Sequence, residues 1–453
     1  MSKLAERVQE ISRDVNARPL TDYVVITIVV GALTGLGLIM VTSSSMTWSV
    51  LDGDTAWGAA GKQAAMVVVG VFAYWSALRM RPAAMKRWAG ALLVLAFLLL
   101  ILVLIPGIGT GRESVGSQSW IALGPLRIQP SEIAKVAIAV WGSAYLADRV
   151  KTGRGWDTPN TRFLMVALCM VFLIFLQGDV GMALAFIIVV GFVLFFAGVH
   201  PRFIVAAVGV VGMGLLLLSM RGGFRSDRFT VYFDALFGSF QDTQGKAFQS
   251  YQGFLSLADG SLTGVGLGQS RAKWFYLPEA KNDFIFAIIG EELGLWGGAM
   301  VICLFGILAW FGLRTAQRSR SRFQRLLAAS LTAGVVAQAF INIGYVIGVV
   351  PVTGIQLPMI SAGGTSAIIT LFAMGLLANC ARHEPEAISN MQNYGRSFWD
   401  RLLHLPEPMV PNARRPKPQE RPRLGRPVTS RGGSVVARKP ANPRIPANRR
   451  RRK

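Results

Sequence analysis

Long, nearly unbroken apolar runs alternate with short polar breaks from residue 23 to residue 381. A helix of about 20 such residues crosses the hydrocarbon core of a bilayer. Ten runs are read as spans, over 23–42, 63–80, 88–105, 131–148, 163–177, 180–198, 203–220, 284–313, 326–350 and 365–381. None shows the period-two alternation of an outer-membrane barrel strand, and backbone in lipid must satisfy its own hydrogen bonds. The expected fold class is an all-α polytopic membrane protein of about ten transmembrane helices.

The breaks give the orientation. Basic residues crowd three short connections: Arg79, Arg81, Lys86 and Arg87; Arg149, Lys151, Arg154 and Arg162; Arg314, Arg318, Arg320, Arg322 and Arg325. The stretch 351–364 has none. Positive loops stay inside, so both termini are expected in the cytoplasm. The loops 106–130 and 221–283 then lie outside, the second a long extracytoplasmic loop between spans 7 and 8. Its aromatic residues, among them Phe224, Phe229, Tyr232, Phe233, Phe237, Phe240, Phe248, Tyr251 and Phe254, suggest short interfacial helices. Three regions result: a cytoplasmic segment 1–22, a membrane domain 23–382, and a basic, largely disordered cytoplasmic tail 383–453. Residues 412–453 carry fifteen Lys or Arg and one acid, Glu420. Such a segment buries too little apolar surface to fold and suits an acidic cytoplasmic partner or anionic lipid.

Composition agrees with this picture. Of 453 residues 52% are hydrophobic and 16% charged, the mean hydropathy is +0.44 and the net charge +23. Cys169, Cys303 and Cys380 sit in or beside apolar runs, which excludes a disulfide framework. The three histidines, His200, His383 and His404, all fall on the cytoplasmic side, so no zinc site or histidine-based triad is supported. The first apolar run has no cleavage site and reads as an uncleaved span.

Against this apolar background the polar residues of the spans stand out, because ionisable groups at membrane depth mark functional sites. In 277–294, LPEAKNDFIFAIIGEELG, Asp283 sits at the mouth of the eighth span. It reads either as a helix N-cap or as a reactive carboxylate. In a helix starting there, Glu291 and Glu292 lie about 12 Å deeper, where structural hydrogen bonding is the plain alternative to function. In 119–135, SWIALGPLRIQPSEIAK, Glu132 and Lys135 share a helix face at i, i+3. They form either a structural ion pair or the charged floor of an external cavity. Trp120 is an interfacial anchor or a platform for a sugar or lipid, and Arg127 could neutralise a phosphate. Arg271, Lys273 and Lys281 surround the approach to Asp283 as a basic surface or as diphosphate ligands. The glycines of GVGLGQS lack a preceding strand and carry no nucleotide motif. Gln338 and Asn342, an i, i+4 polar pair within a span, read as interhelical glue.

The segments QPSEIAK, LTGVGLGQSRAKWFYLPEAKNDFIFAIIGEELG and PVTGIQLPMISAGGTS, in order and spacing, resemble the SEDS family of membrane glycosyltransferases, FtsW and RodA. The likeness covers most of 20–382. The wording around Asp283 and the long basic tail are closer to the division branch, FtsW. The resemblance implies a peptidoglycan glycosyltransferase of the bacterial inner membrane, at the division septum, that polymerises lipid II with inversion while undecaprenyl pyrophosphate leaves. It carries the family's essential acid onto Asp283, its external tryptophan onto Trp120 and its Glu–Lys pair onto Glu132 and Lys135. It implies a class B penicillin-binding transpeptidase and other division proteins as partners, and no nucleic acid. No cofactor is certain; a divalent cation, Mg or Mn, would suit the diphosphate. The chain departs from the family pattern at Lys281 (commonly His), Ser119 (often Arg) and Gln177-Gly178-Asp179 (usually Gln-Pro-Asp). The alternatives are a lipid II flippase using Glu132, Lys135, Glu291 and Asn342 as a polar path, and a non-catalytic scaffold recruiting the transpeptidase.

Overall fold

A computed structural model describes residues 20–51, 57–112, 116–124, 126–148, 158–220, 248–273, 280–396 and 398–408, with 55, 232 and 277 as single residues. Among these, ten helices of 17 to 34 residues fall on the ten expected stretches. They are α1 (Thr21–Leu51), α2 (Gly58–Arg79), α3 (Pro82–Leu102), α4 (Pro130–Asp148), α5 (Pro159–Leu176), α6 (Val180–Phe196), α7 (Pro201–Met220), α9 (Ile285–Arg318), α10 (Arg322–Val346) and α11 (Gly364–Arg382). Three shorter helices are α8 (Phe248–Gly260), α12 (Pro385–Tyr394) and α13 (Phe398–Leu402). Six helices (α1, α3, α5, α9, α10 and α11) are long and apolar enough to cross a membrane by length and composition, and α6 and the first part of α7 are shorter apolar segments. The chain is a multi-pass membrane protein. Five of the helices open on proline, at Pro82, Pro130, Pro159, Pro201 and Pro385. Proline suits a first turn, where its missing N–H is not needed.

Helix α2 packs along α11, α9 against α10 and α1, and α4 against α3. The helices run between two ends, called here after Asp22 and Asp283. At the Asp22 end, Arg314 pairs with Asp22 at 3.1 Å and Lys86 pairs with Asp148. Asn379 of α11 donates to the carbonyls of Ala77, Leu78 and Met80 at the close of α2. This satisfies acceptors that a helix end leaves open.

The strands of the fold lie at the Asp283 end. Between α3 and α4, β1 (Gly109–Thr110), β2 (Trp120–Leu123) and β3 (Leu126–Ile128) form an antiparallel sheet in the order β1-β2-β3. Register pairs Thr110 with Trp120 and Ala122 with Arg127. The Gln177-Gly178-Asp179 turn anchors this hairpin. Gln118 donates its N–H to Gln177, Gln129 its side-chain amide to Asp179, and Asp179 caps α6 by accepting from the Met182 N–H at 3.0 Å.

The tail is expected from residue 383, whereas residues 385–396 and 398–408 belong to the compact unit that ends at Pro408. Arg382, 2% exposed, pairs with Asp400 at 3.1 Å, Trp75 donates to the Leu403 carbonyl, and Leu405 is buried. A buried guanidinium demands a partner, and here it takes one from the segment beyond the last span. The rest of the basic tail, 409–453, lies outside the described residues, as do the segment 1–19 and Phe224, Phe229, Phe233, Phe237 and Phe240. Helix α8, within the loop expected to hold interfacial helices, packs against α9 with Gly253, Ser256 and Gly260 buried.

Glu384 follows α11 and is 1% exposed. Burial, with a smaller contribution from Asp22, pushes its carboxyl up to about 8, while Thr315, Arg318 and Arg314 pull the other way. The unfolded carboxyl ionises near 4.5 while the folded one keeps its proton. Stability is therefore lost as pH rises from that value through about 8. The loss is on the order of a few kcal/mol. Glu384→Gln should flatten this dependence: thermal unfolding in detergent at about pH 5 and about pH 9 should show a smaller melting difference than in the wild type.

Candidate functional site

Helix α9 begins at Ile285 with Phe284, not Asp283, at its N-cap position. Asp283 lies in the turn before the helix, half-buried. Its main chain is held from the far side. The side-chain amide of Asn342 and the hydroxyl of Tyr345, both on α10, reach the Asp283 carbonyl at 2.9 Å. The Ser361 hydroxyl donates to the Asn282 carbonyl at 2.7 Å, and the Ala362 N–H to the Lys281 carbonyl at 2.9 Å. Phe284, 1% exposed, packs on the Tyr345 ring with centroids 5.7 Å apart.

The segment that supplies Ser361 and Ala362, 351–363, is tied to the bundle. Gln338 donates to the Gln356 carbonyl at 3.0 Å and accepts from the Lys135 ammonium at 2.7 Å. Lys135 also pairs with Glu132 at 3.0 Å, both nearly buried. Glu132, Lys135 and Gln338 thus form one connected polar layer, beside a cavity of about 40 Å³ that Ser330 and Thr370 also line. Thr365, at the start of α11, accepts nothing from this layer but donates to the Arg127 carbonyl at 2.9 Å. It is three residues from Ala362, so the hairpin and the Asp283 turn are fastened to one short piece of chain. Arg127 is exposed and Lys281 half-buried. Trp120 lies half-buried on β2.

The two glutamates take structural hydrogen bonds, the plain alternative to a functional role. Span 284–313 is not one continuous helix: Gly294 has φ 66° and ψ −164° and breaks α9. After the break, the Leu295 N–H turns to the Ser261 carbonyl. The released carbonyls of Glu291 and Glu292 instead accept from Val265 and Gly266 at 2.9 and 3.1 Å. A Cβ on Gly294 would lie 2.4 Å from the Gly264 nitrogen, so only glycine permits this approach. Irregular backbone at membrane depth is tolerated where protein covers it.

The side chains complete the latch. Glu291 accepts from the Ser270 hydroxyl at 2.7 Å and the Arg271 N–H at 2.6 Å. Glu292 accepts from the Ser43 hydroxyl of α1 at 2.7 Å and pairs with Lys273 at 3.3 Å. Glu291 and Glu292 are each 1% exposed and Lys273 is 4% exposed. Lys273, expected at the diphosphate, is therefore committed to Glu292 and to the Gly268 carbonyl. Arg271 keeps an exposed side chain while its N–H is used in the latch.

The structure thus brings Asp283, Lys281, Arg127, Glu132, Lys135, Gln338 and Asn342 into one connected assembly and places Glu291, Glu292 and Lys273 in another. Sequence reasoning missed Tyr345, Ser361, Ser43 and Ser270. Tyr345 could have been found, since residues 338, 342 and 345 fall on one helical face. Among the described residues, no three His, Cys, Asp or Glu side chains gather to hold a metal ion.

A family model described as Cell cycle protein, for FtsW, RodA and SpoVE, matches residues 23–386. The probable peptidoglycan glycosyltransferase FtsW of Mycobacterium tuberculosis is 42% identical over 396 residues, 87% of this chain and 74% of the relative. Stage V sporulation protein E of Bacillus subtilis is 37% identical over 356 residues, 78% of this chain and 94% of the relative. Two solved structures share the fold. A chain of a peptidoglycan synthase complex has TM-score 0.63 at 24% identity, over 79% of this chain and 96% of that one. The rod shape determining protein RodA of Thermus thermophilus has TM-score 0.59 at 23% identity, over 80% and 96%.

Proposed function

The chain belongs to the FtsW/RodA/SpoVE family, and on that premise we propose that it is a peptidoglycan glycosyltransferase polymerising lipid II during division. The observation that carries the reading is Asp283: a half-buried carboxylate at one end of the bundle, its own main chain fastened by three successive carbonyls. The acceptor is the 4-hydroxyl of an N-acetylglucosamine. Asp283 takes its proton as the oxygen attacks the anomeric carbon of the donor. One C–O bond forms, the bond to the diphosphate breaks, and undecaprenyl pyrophosphate leaves with its electron pair. A base works only within hydrogen-bond reach of its proton, and a rigid turn supplies that constancy. The departing charge needs cations. Arg127, Arg271 and Lys281 are the candidates that remain, since Lys273 is engaged elsewhere. A divalent cation at this site would rest on Asp283 and the diphosphate, because no cluster of protein ligands stands beside it among the described residues. Such an ion would neutralise the leaving group.

In this reading the Asp283 end faces away from the cytoplasm, the termini are cytoplasmic and the protein acts at the division septum. A class B transpeptidase and other division proteins are its partners, and the basic tail meets an acidic partner or anionic lipid. The polar layer of Glu132, Lys135 and Gln338 lends little support to a flippase. Its members are paired with one another, and the cavity beside them, about 40 Å³, has room for a few water molecules, not a disaccharide-pentapeptide. The test is glycan polymerisation from purified lipid II by the wild type, alone and with its cognate transpeptidase. Polymer is expected. Lipid II translocation across vesicles without any polymer, with or without the partner, would overturn the reading.

A further inference from the structure

Three consecutive carbonyls, those of Lys281, Asn282 and Asp283, each accept a hydrogen bond from α10 or the 351–363 connection. The last of them has two donors. Asn342 Nδ2 lies 2.6 Å from the Tyr345 hydroxyl, and both lie within 2.9 Å of the Asp283 carbonyl and within 2.8 Å of the Ile355 carbonyl. An amide nitrogen offers two hydrogens and a phenol one. Three hydrogens therefore serve three acceptors: the phenol oxygen and the two carbonyls. Removing the Tyr345 hydroxyl takes away one hydrogen and one acceptor together, so both carbonyls then depend on Asn342 alone. The Ser361 hydroxyl is doubly used in the same way, accepting from the Leu357 N–H at 2.8 Å while donating to Asn282.

The support behind these donors is itself rigid. Met359 sits at φ 65°, a left-handed conformation costly for a side-chain-bearing residue. A Cβ on Gly37 of α1 would lie 2.5 Å from the Met359 carbonyl, so the connection is pressed directly against a membrane helix. Its other tie runs through Gln356 and Gln338 to the Lys135–Glu132 pair.

We propose that Tyr345, Asn342 and Ser361 are positioning residues for the Asp283 carboxylate, fixing the peptide that carries it without touching the substrate. The assignment rests on the catalytic role given to Asp283 above. Small displacements of a reacting group are expensive, and a misplacement of about 1 Å can cost 10²-fold in rate.

The experiment is steady-state polymerisation of lipid II by the full-length protein with its transpeptidase, for the wild type, Tyr345→Phe, Ser361→Ala and Asp283→Asn, alongside thermal unfolding of each. Tyr345→Phe keeps the ring against Phe284 and removes only the hydroxyl. It should lower kcat by about tenfold to 10²-fold with KM within about twofold of wild type and the melting temperature little changed. Ser361→Ala should do the same. A kcat within about twofold of wild type for Tyr345→Phe, or a loss of kcat that only tracks a loss of folded protein, overturns the proposal. Where Ser361→Ala melts too low to assay, Tyr345→Phe decides by itself. Inactive Asp283→Asn with wild-type Tyr345→Phe removes the positioning role alone. Fully active Asp283→Asn removes the catalytic reading and the positioning role with it.

Discussion

Asp283→Asn leaves the protein folded and removes polymerisation, with kcat lowered by about 10²- to 10⁴-fold, the usual worth of a general base. The expectation of normal folding follows from the geometry. Asp283 is not the N-cap of α9, which is Phe284. The hydrogen bonds from Asn342, Tyr345, Ser361 and Ala362 go to main-chain oxygens of residues 281–283, which the substitution keeps. Asparagine has nearly the same volume but cannot accept the hydroxyl proton. Polymer yield from lipid II, with melting temperature and copurification of the transpeptidase as controls, checks it. A variant that polymerises at the wild-type rate would exclude the carboxylate as base and as cation ligand alike.

The second large effect concerns Lys273 and Glu292. Either partner alone, as Lys273→Met or Glu292→Gln, should destabilise the protein by about 3–5 kcal/mol, because the remaining charge is buried without compensation. Both singles should also lose polymerisation, since the segment 264–273 undocks from α9. The double variant Lys273→Met/Glu292→Gln removes both charges and should recover most of the stability and the activity. Thermal unfolding and polymerisation of the four proteins form a double-mutant cycle. The cycle separates two roles for Lys273. A lysine that bound the diphosphate would be missed in the double variant as much as in the single, and activity would stay lost. The structure favours recovery, since the ammonium is 4% exposed and lies 3.3 Å from a carboxylate oxygen.

Glu291 and Glu292 illustrate why sequence alone cannot name the partners of such residues. Two adjacent acids in an apolar run must find partners, and that much was legible. Their partners, Ser270, the Arg271 N–H, Lys273 and Ser43, come from a loop about twenty residues earlier and from a helix 249 residues away. Nothing local points there. The break at Gly294 was hidden for a similar reason. Glycine within an apolar run is common in membrane helices, and only the approach of Gly264 makes this one indispensable. The hairpin between α3 and α4 leaves no strand signal in the sequence, because its strands are two to four residues long, too short for a period-two pattern to register.

Residues alone were enough for the multi-pass helical class, the stretches on which the ten long helices fall, the family, and Asp283 as an acid at a span's mouth. These follow from properties written locally: twenty apolar residues in a row, a proline at a first turn, a motif read in register. The packed fold was needed to show that Lys273 belongs to Glu292, that α9 is broken, that Arg382 takes Asp400 from beyond the last span, and that Tyr345 and Ser361 stand behind Asp283. Those are pairings between distant segments, chosen by which buried donors and acceptors can reach one another once the helices pack. A buried polar group must be satisfied by whatever neighbour the fold supplies, and the identity of that neighbour is a property of the packing.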